Sequence, residues 1–269
     1  MKTYNSLMDL EARLRHIKHI KSFGEEIGME FKGVLSRYDA TTKHQDLHYL
    51  IVTPPNSLEL YVEEQVIGRS NRRLVKLEKE YREKGYDTML SQAVGWDGCQ
   101  ITKALLRENY VEISGIVLHE GWHKTTRISD SNLDEAIASA VQYFGTVEYC
   151  RHYDKKNLEK AKKRLCETLE TSDYITKYFR RLKKAYNQLN WIELKPQIIA
   201  EARLSKKNLF QEPKVNNSYF YFWYGYYQHF KLVGKTFKTL GLEESIKFFK
   251  RYEDHKNCIK NMREMTSAR

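Results

Sequence analysis

His119-Glu120-Gly121-Trp122-His123 sets two imidazoles one helical turn apart with a carboxylate beside the first. On a helix, positions i and i+4 share a face, so His119 and His123 can offer ring nitrogens to one divalent cation while Glu120 reaches a water held there. Those are the groups that metal-assisted hydrolysis needs. The preceding run, Val111 to Leu118, is apolar and free of proline, which places the motif on a buried helix with rigidly held ligands. A plainer account, two ordinary histidines on a half-buried helix, gives no part to the glutamate downstream at Glu135.

A hydrolytic zinc site takes three protein ligands and keeps a fourth position for water. Lys124 to Asn132 is polar and reads as a loop ending in a helix N-cap. Leu133 to Phe144 reads as a second helix, whose Ala136, Ala138, Ser139 and Ala140 permit close approach to the first. Glu135, in its opening turn, is the expected third ligand. Asp134 and Glu148 compete with it, and a glutamate in a first turn also serves the helix dipole. After His123 the chain continues Arg127-Ile128-Ser129, without the glycine and third histidine of an H-E-x-x-H-x-x-G-x-x-H site. The ligand set is therefore of gluzincin type, two His and one Glu.

Read as H-E-x-x-H, a polar loop and then a D/N-E-x-x-A helix, His119 to Phe144 resembles the bacterial predicted-aminopeptidase family of zinc metallopeptidases, whose pattern is close to H-E-L-A-H followed by F-N-E-x-x-A. The likeness extends in order over about residues 10 to 250. It takes in Arg13 to Gly28 as an early helix, His48 to Pro55 as a first strand, Lys84-Gly85-Tyr86-Asp87, Gly95-Trp96, and Asn216-Asn217-Ser218 with Tyr226-Tyr227. The resemblance implies one Zn2+ per chain on His119, His123 and Glu135, in preference to Asp134 and Glu148. It implies Glu120 as the general base that passes the water's proton to the leaving amine. It further implies an edge strand beside the zinc helix, here Gln92 to Trp96 with Ala93, Val94, Gly95 and Trp96 contacting substrate backbone, and an oxyanion donor in Tyr226 or Tyr227. Gly121-Trp122 replaces Leu-Ala and Asp134 replaces Asn. These departures keep ligands and base, cost the helix about 1 kcal/mol at Gly121, and bear on substrate preference through Trp122 beside the metal. The family name implies an aminopeptidase. No G-x-M-E-N-like motif is present to capture a free α-amine, so endopeptidase action stays open.

The elements that must position these groups read as α+β, predominantly α-helical: a small N-terminal sheet with the HExxH helix, then a helical C-terminal half. Residues 7 to 29 read as a helix, 46 to 53 as a strand stopped by Pro54-Pro55, 70 to 84 as a helix ending at Gly85, and 87 to 94 as a strand. After Cys99 the pattern is almost entirely helical, with turns at Lys195-Pro196 and Glu212-Pro213. The aromatic run Tyr219 to Tyr227 reads mostly as packing.

With 269 residues and 41% hydrophobic content, the chain reads as a single metallopeptidase domain, α+β to about residue 150 and helical over 151–269, the second part completing the cleft. No apolar run is long enough to span a membrane. Cys99, Cys150, Cys166 and Cys258 form no C-x-x-C pair and argue against a structural zinc knuckle. The net charge of +11 clusters at Lys155-Lys156, Lys160 to Arg164 and Arg180 to Lys184. No nucleic-acid recognition signature accompanies it, so it reads as solvated helix surface, with acidic peptides or a peripheral contact with an anionic membrane as further expectations. Met1 to Ser6 has no apolar h-region: the chain is expected to be cytoplasmic, or of the cell envelope if an export signal has been trimmed. Peptide or protein substrates are expected. The competing function class is a non-catalytic scaffold that keeps the peptidase fold and binds a partner or anionic surface through its basic helices.

Overall fold

The computed structural model describes residues 7–38, 46–68, 71–93, 100–205 and 215–267. In chain order its elements are α1 (Leu7–Glu26), β1 (Asp46–Thr53), β2 (Val62–Gly68), α2 (Arg72–Glu83), β3 (Asp87–Ala93), α3 (Lys103–Arg107), α4 (Tyr110–Thr125), α5 (Ser131–Tyr153), α6 (Leu158–Ala185), α7 (Trp191–Ser205), α8 (Asn217–Tyr227), α9 (Phe230–Leu240), α10 (Leu242–Phe249) and α11 (His255–Ser267). Helix predominates and the strands form one small sheet, as the sequence pattern predicts. The chain divides into two compact units that interleave in sequence: Met1–Lys43, Val94–Leu169 and His229–Arg269 make one, His44–Ala93 and Glu170–Gln228 the other.

In the first unit, α4 and α5 form the pair that carries the motif. Asn109 caps α4, its side chain accepting from the backbone N–H of Val111 at 3.2 Å and Glu112 at 3.4 Å, and Asp130 caps α5 by accepting from Leu133 N–H at 2.8 Å. The helices pack closely because each meets the other at a glycine. A Cβ on Gly115 would lie 2.9 Å from Gln142, and one on Gly145 would lie 2.9 Å from Leu118. Ala136, Ile137, Ala138, Ala140 and Val141 on α5 are fully buried, and so are Ile113, Val117 and Leu118 on α4. The α5 helix begins two residues earlier than the sequence pattern suggested and runs nine residues beyond Phe144. Gly121 has a structural reason: a Cβ there would sit 2.2 Å from the Phe31 ring, which is itself buried. Thr125 closes the end of α4, donating to Gly121 O at 2.8 Å and accepting from Glu30 N–H at 2.8 Å. On the other side, Phe144 stacks on Phe237 at 5.3 Å, and Trp122 meets Phe249 edge-on at 6.2 Å.

The second unit is built on the antiparallel sheet β2-β1-β3. Central β1 puts Leu50 and Val52 into a cluster with Leu74 of α2, which Val62 and Val66 of β2, Leu77, Tyr81, Tyr86 and Leu90 complete. The sequence pattern hides β2, because exposed Glu63 and Gln65 alternate with half-buried Val62, Glu64 and Val66. Pairing with β1, Val52 opposite Val62, supplies what the segment's own composition does not. Gly85, at φ +83°, turns the chain from α2 into β3, which lies at one edge of the sheet.

A polar clamp ties this sheet to α8. Asn217, fully buried, donates from its amide to Pro54 O at 3.0 Å, Pro55 O at 3.3 Å and Ser57 O at 2.8 Å, and accepts from Tyr186 Oη at 2.5 Å. Asp87 accepts from Asn217 N–H at 3.0 Å and from Lys195 Nζ at 2.7 Å. The Pro54-Pro55, Tyr86-Asp87 and Asn216-Asn217-Ser218 segments singled out in the sequence thus meet at one place. The turn expected at Lys195-Pro196 is instead inside α7. The ring there removes a single backbone donor near the helix start, where the carbonyl it would have served belongs to the exposed Ile192. Glu212-Pro213 lies outside the described residues.

Candidate metal centre

His119 and His123 project from one face of α4, and Glu135 from the first turn of α5, so the site is made by two capped helices held together at glycines. One ligand atom from each of the three lies within 4.8 Å of the others, the spacing that lets them converge on a single ion. His119 Nε2 is 3.3 Å from Glu135 Oε2, and His123 Nε2 is 3.7 Å from Glu135 Oε1. The first pair is close without the alignment of a hydrogen bond. Glu135 Oε2 is therefore buried with no hydrogen-bond donor among the described residues, an arrangement a cation would satisfy.

The far side of His123 is anchored. Its Nδ1 donates to Asp134 Oδ2 at 2.7 Å, and the other carboxylate oxygen, Oδ1, accepts from the Trp122 indole N–H at 2.8 Å. Burial lowers the His123 pKa, but the Asp134 hydrogen bond and the charges of Glu135, Asp134 and Glu120 outweigh it and bring the metal-free ring to about 9. Burial also pushes the Glu135 carboxyl up. The adjacent His119 and the charge of His123 overcome that and hold it below its ordinary value. Glu120 follows His119 on α4, is buried, and lies close enough for its charge to act on His123.

Two imidazoles and a carboxylate, with a buried second carboxylate alongside, form a donor set suited to a divalent metal of borderline softness. A family model described as Putative aminopeptidase matches residues 70–266, well over half of the chain. The chain belongs to that family. No curated protein and no solved structure matches. Membership points to a peptidase, hence a hydrolase, and the matched span contains every residue of the candidate centre. The early helix and first strand that also resemble the family precede the matched span.

The structure brings His119, Glu120, His123 and Glu135 together in the first unit, as the motif implies. Glu148, one competing carboxylate, pairs with Arg151 and with His152 at 2.8 Å instead. Asp134, the other, backs His123. Trp122 was expected to bear on substrate. It is fully buried, and its polar edge is used on Asp134. Ala93 closes β3 in the second unit, and Val94, Gly95 and Trp96 lie outside the described residues. Tyr226 and Tyr227 end α8, also in the second unit, within an aromatic stack in which Trp223 lies 5.9 Å from Tyr227 and 5.8 Å from Tyr226. What the sequence did not disclose is the Trp122–Asp134 bond, since nothing in either residue's type marks a partner on the next helix. Among the described residues no helix is long and apolar enough to cross a membrane.

Proposed function

We propose that this chain is a zinc-dependent peptidase, with His119, His123 and Glu135 as metal ligands and Glu120 as general base. The observation that carries this reading is the convergence of three ligand atoms within 4.8 Å around a buried carboxylate oxygen that lacks a donor among the described residues. Bound there, zinc supplies Lewis acidity, lowering the pKa of a water from about 16 to about 7 and polarising a peptide carbonyl. The chain's own residues do the rest. Glu120, buried beside His123, accepts the proton of the attacking water and returns it to the amine that leaves, the role a carboxylate in a water-poor site performs most effectively. Its charge and that of Glu135 also favour the charged form of His123.

The family description favours an aminopeptidase. The test is zinc content by mass spectrometry after reconstitution, together with cleavage of paired peptide libraries that have free or acetylated N-termini. We expect one zinc per chain and hydrolysis that stops on chelation and returns with zinc. Cleavage confined to free N-termini identifies an aminopeptidase, whereas equal cleavage of both libraries identifies an endopeptidase. Absence of zinc after reconstitution would overturn the reading in favour of a non-catalytic scaffold.

A further inference from the structure

We propose that Trp122 and Asp134 act as one positioning unit that chooses which nitrogen of His123 faces the metal, an inference that rests on the zinc reading above. Trp122 stands inside the motif but is fully buried, so its ring does not face solvent or substrate. Its indole N–H is a donor only, and it donates to Asp134 Oδ1 at 2.8 Å. A carboxylate turns freely about its last bond until one oxygen is held. With Oδ1 held, Oδ2 is aimed at His123 Nδ1, 2.7 Å away.

A carboxylate oxygen can only accept, so Nδ1 must carry a proton, and once the ring is neutral its lone pair is on Nε2. That nitrogen is the one 3.7 Å from Glu135 Oε1, on the side where the ligand atoms converge. The side chains of Asp134 and His123 are each only 16% exposed, so water competes poorly for either bond. Phe249, edge-on to the indole at 6.2 Å, keeps the ring from swinging away. Partners of this kind, which orient metal-binding histidines without touching the metal, typically alter metal affinity by about 10- to 100-fold.

The test uses the chemistry of an amide. In Asp134→Asn the side chain has one accepting oxygen for two donors. While the Trp122 N–H claims that oxygen, the NH2 group faces His123 Nδ1 and favours the tautomer protonated at Nε2, where the metal has to bind. Zinc affinity, read on the full chain by competition with a chromophoric chelator, should fall about 10- to 100-fold. Trp122→Phe removes the competing donor. In the double variant the amide can turn its oxygen to Nδ1, so affinity should recover about tenfold relative to Asp134→Asn alone, although two residues are changed.

Recovery of this kind is not what two independent structural lesions produce. A double variant that binds no more tightly than Asp134→Asn, or an Asp134→Asn that binds like the parent, would overturn the proposal. Because Trp122→Phe removes volume from a packed core, the parent supplies a second measurement. In zinc-loaded protein labelled with 15N-histidine, His123 should show a protonated Nδ1 and a metal-shifted Nε2, and the reverse assignment overturns the proposal whatever the variants do. A parent that takes up no zinc defeats the zinc reading and this inference together. A parent that binds zinc with both variants unaffected defeats the inference alone.

Discussion

At the scale of single residues the centre separates ligation from proton transfer. Glu135→Ala removes the only carboxylate among the three grouped ligands, so zinc occupancy should drop markedly when measured by metal analysis. Glu120→Gln keeps the shape and loses the base. It should hold zinc at parent level and lose at least about a hundredfold in peptide hydrolysis. Loss of zinc in Glu120→Gln would instead make that residue a ligand. The pH dependence originates in His123. Its metal-free pKa of about 9 lies above the ordinary value, so between neutrality and about pH 9 the ring holds a proton that the metal must displace. Apparent zinc affinity should therefore rise with pH, by about tenfold per unit for one displaced proton, and level off near pH 9. A flat profile across that range would show that no proton is displaced from His123.

At the scale of elements, Gly121 shows how helix propensity can be right locally and wrong in sum. Alanine is favoured over glycine in a helix by about 1 kcal/mol, so Gly121→Ala should stabilise α4 in isolation. The Phe31 ring, 2.2 Å from where the new Cβ would stand, reverses the sign, since overpacking a dense core costs about 1–3 kcal/mol. Denaturant unfolding should show Gly121→Ala to be less stable than the parent, and Phe31→Leu in the same chain should recover part of the loss. A more stable Gly121→Ala would mean that Phe31 moves aside easily. The motif and the small residues of α5 made the α4–α5 pair readable, because i and i+4 spacing and close-packing residues are local signals. Phe31, Trp122 with Asp134, and β2 were not readable for one shared reason: each gets its role from a partner on another element, and periodicity carries no information about partners. Pro196 misled in the opposite direction, a strong local signal tolerated because it falls early in α7.

At the scale of the whole molecule, the chain forms two units whose segments alternate along the sequence. Two of the three basic clusters lie on α6, where Lys160, Lys162, Lys163, Arg180, Lys183 and Lys184 are exposed. Pairs such as Lys162 with Glu159 are worth only about 0.3–0.5 kcal/mol each, so these charges read as solvated surface rather than as a source of stability. The clamp at Asn217 is different in kind, because one fully buried amide holds three backbone carbonyls. Asn217→Ala should destabilise the second unit by about 3 kcal/mol, seen as faster amide exchange in β1, β3 and α8, since each orphaned buried polar group costs about 1–3 kcal/mol. Zinc content should be unchanged, as all three ligands belong to the first unit. Loss of zinc in that variant would show that the clamp also governs the centre.

The interleaving also has a temporal side. A ribosome releases α4 and α5, with both histidines, the base and Glu135, well before it makes the His229–Arg269 segment that completes their unit. Until that segment emerges, Trp122 lacks Phe249 and Phe144 lacks Phe237, so the indole that aims Asp134 is without one of its packing partners. A nascent chain would thus carry every ligand before the unit that packs around them is complete. On the zinc reading, metal loading would then follow synthesis of the last helices, and a message cut short before α9 would yield a polypeptide with the whole motif and an incomplete unit.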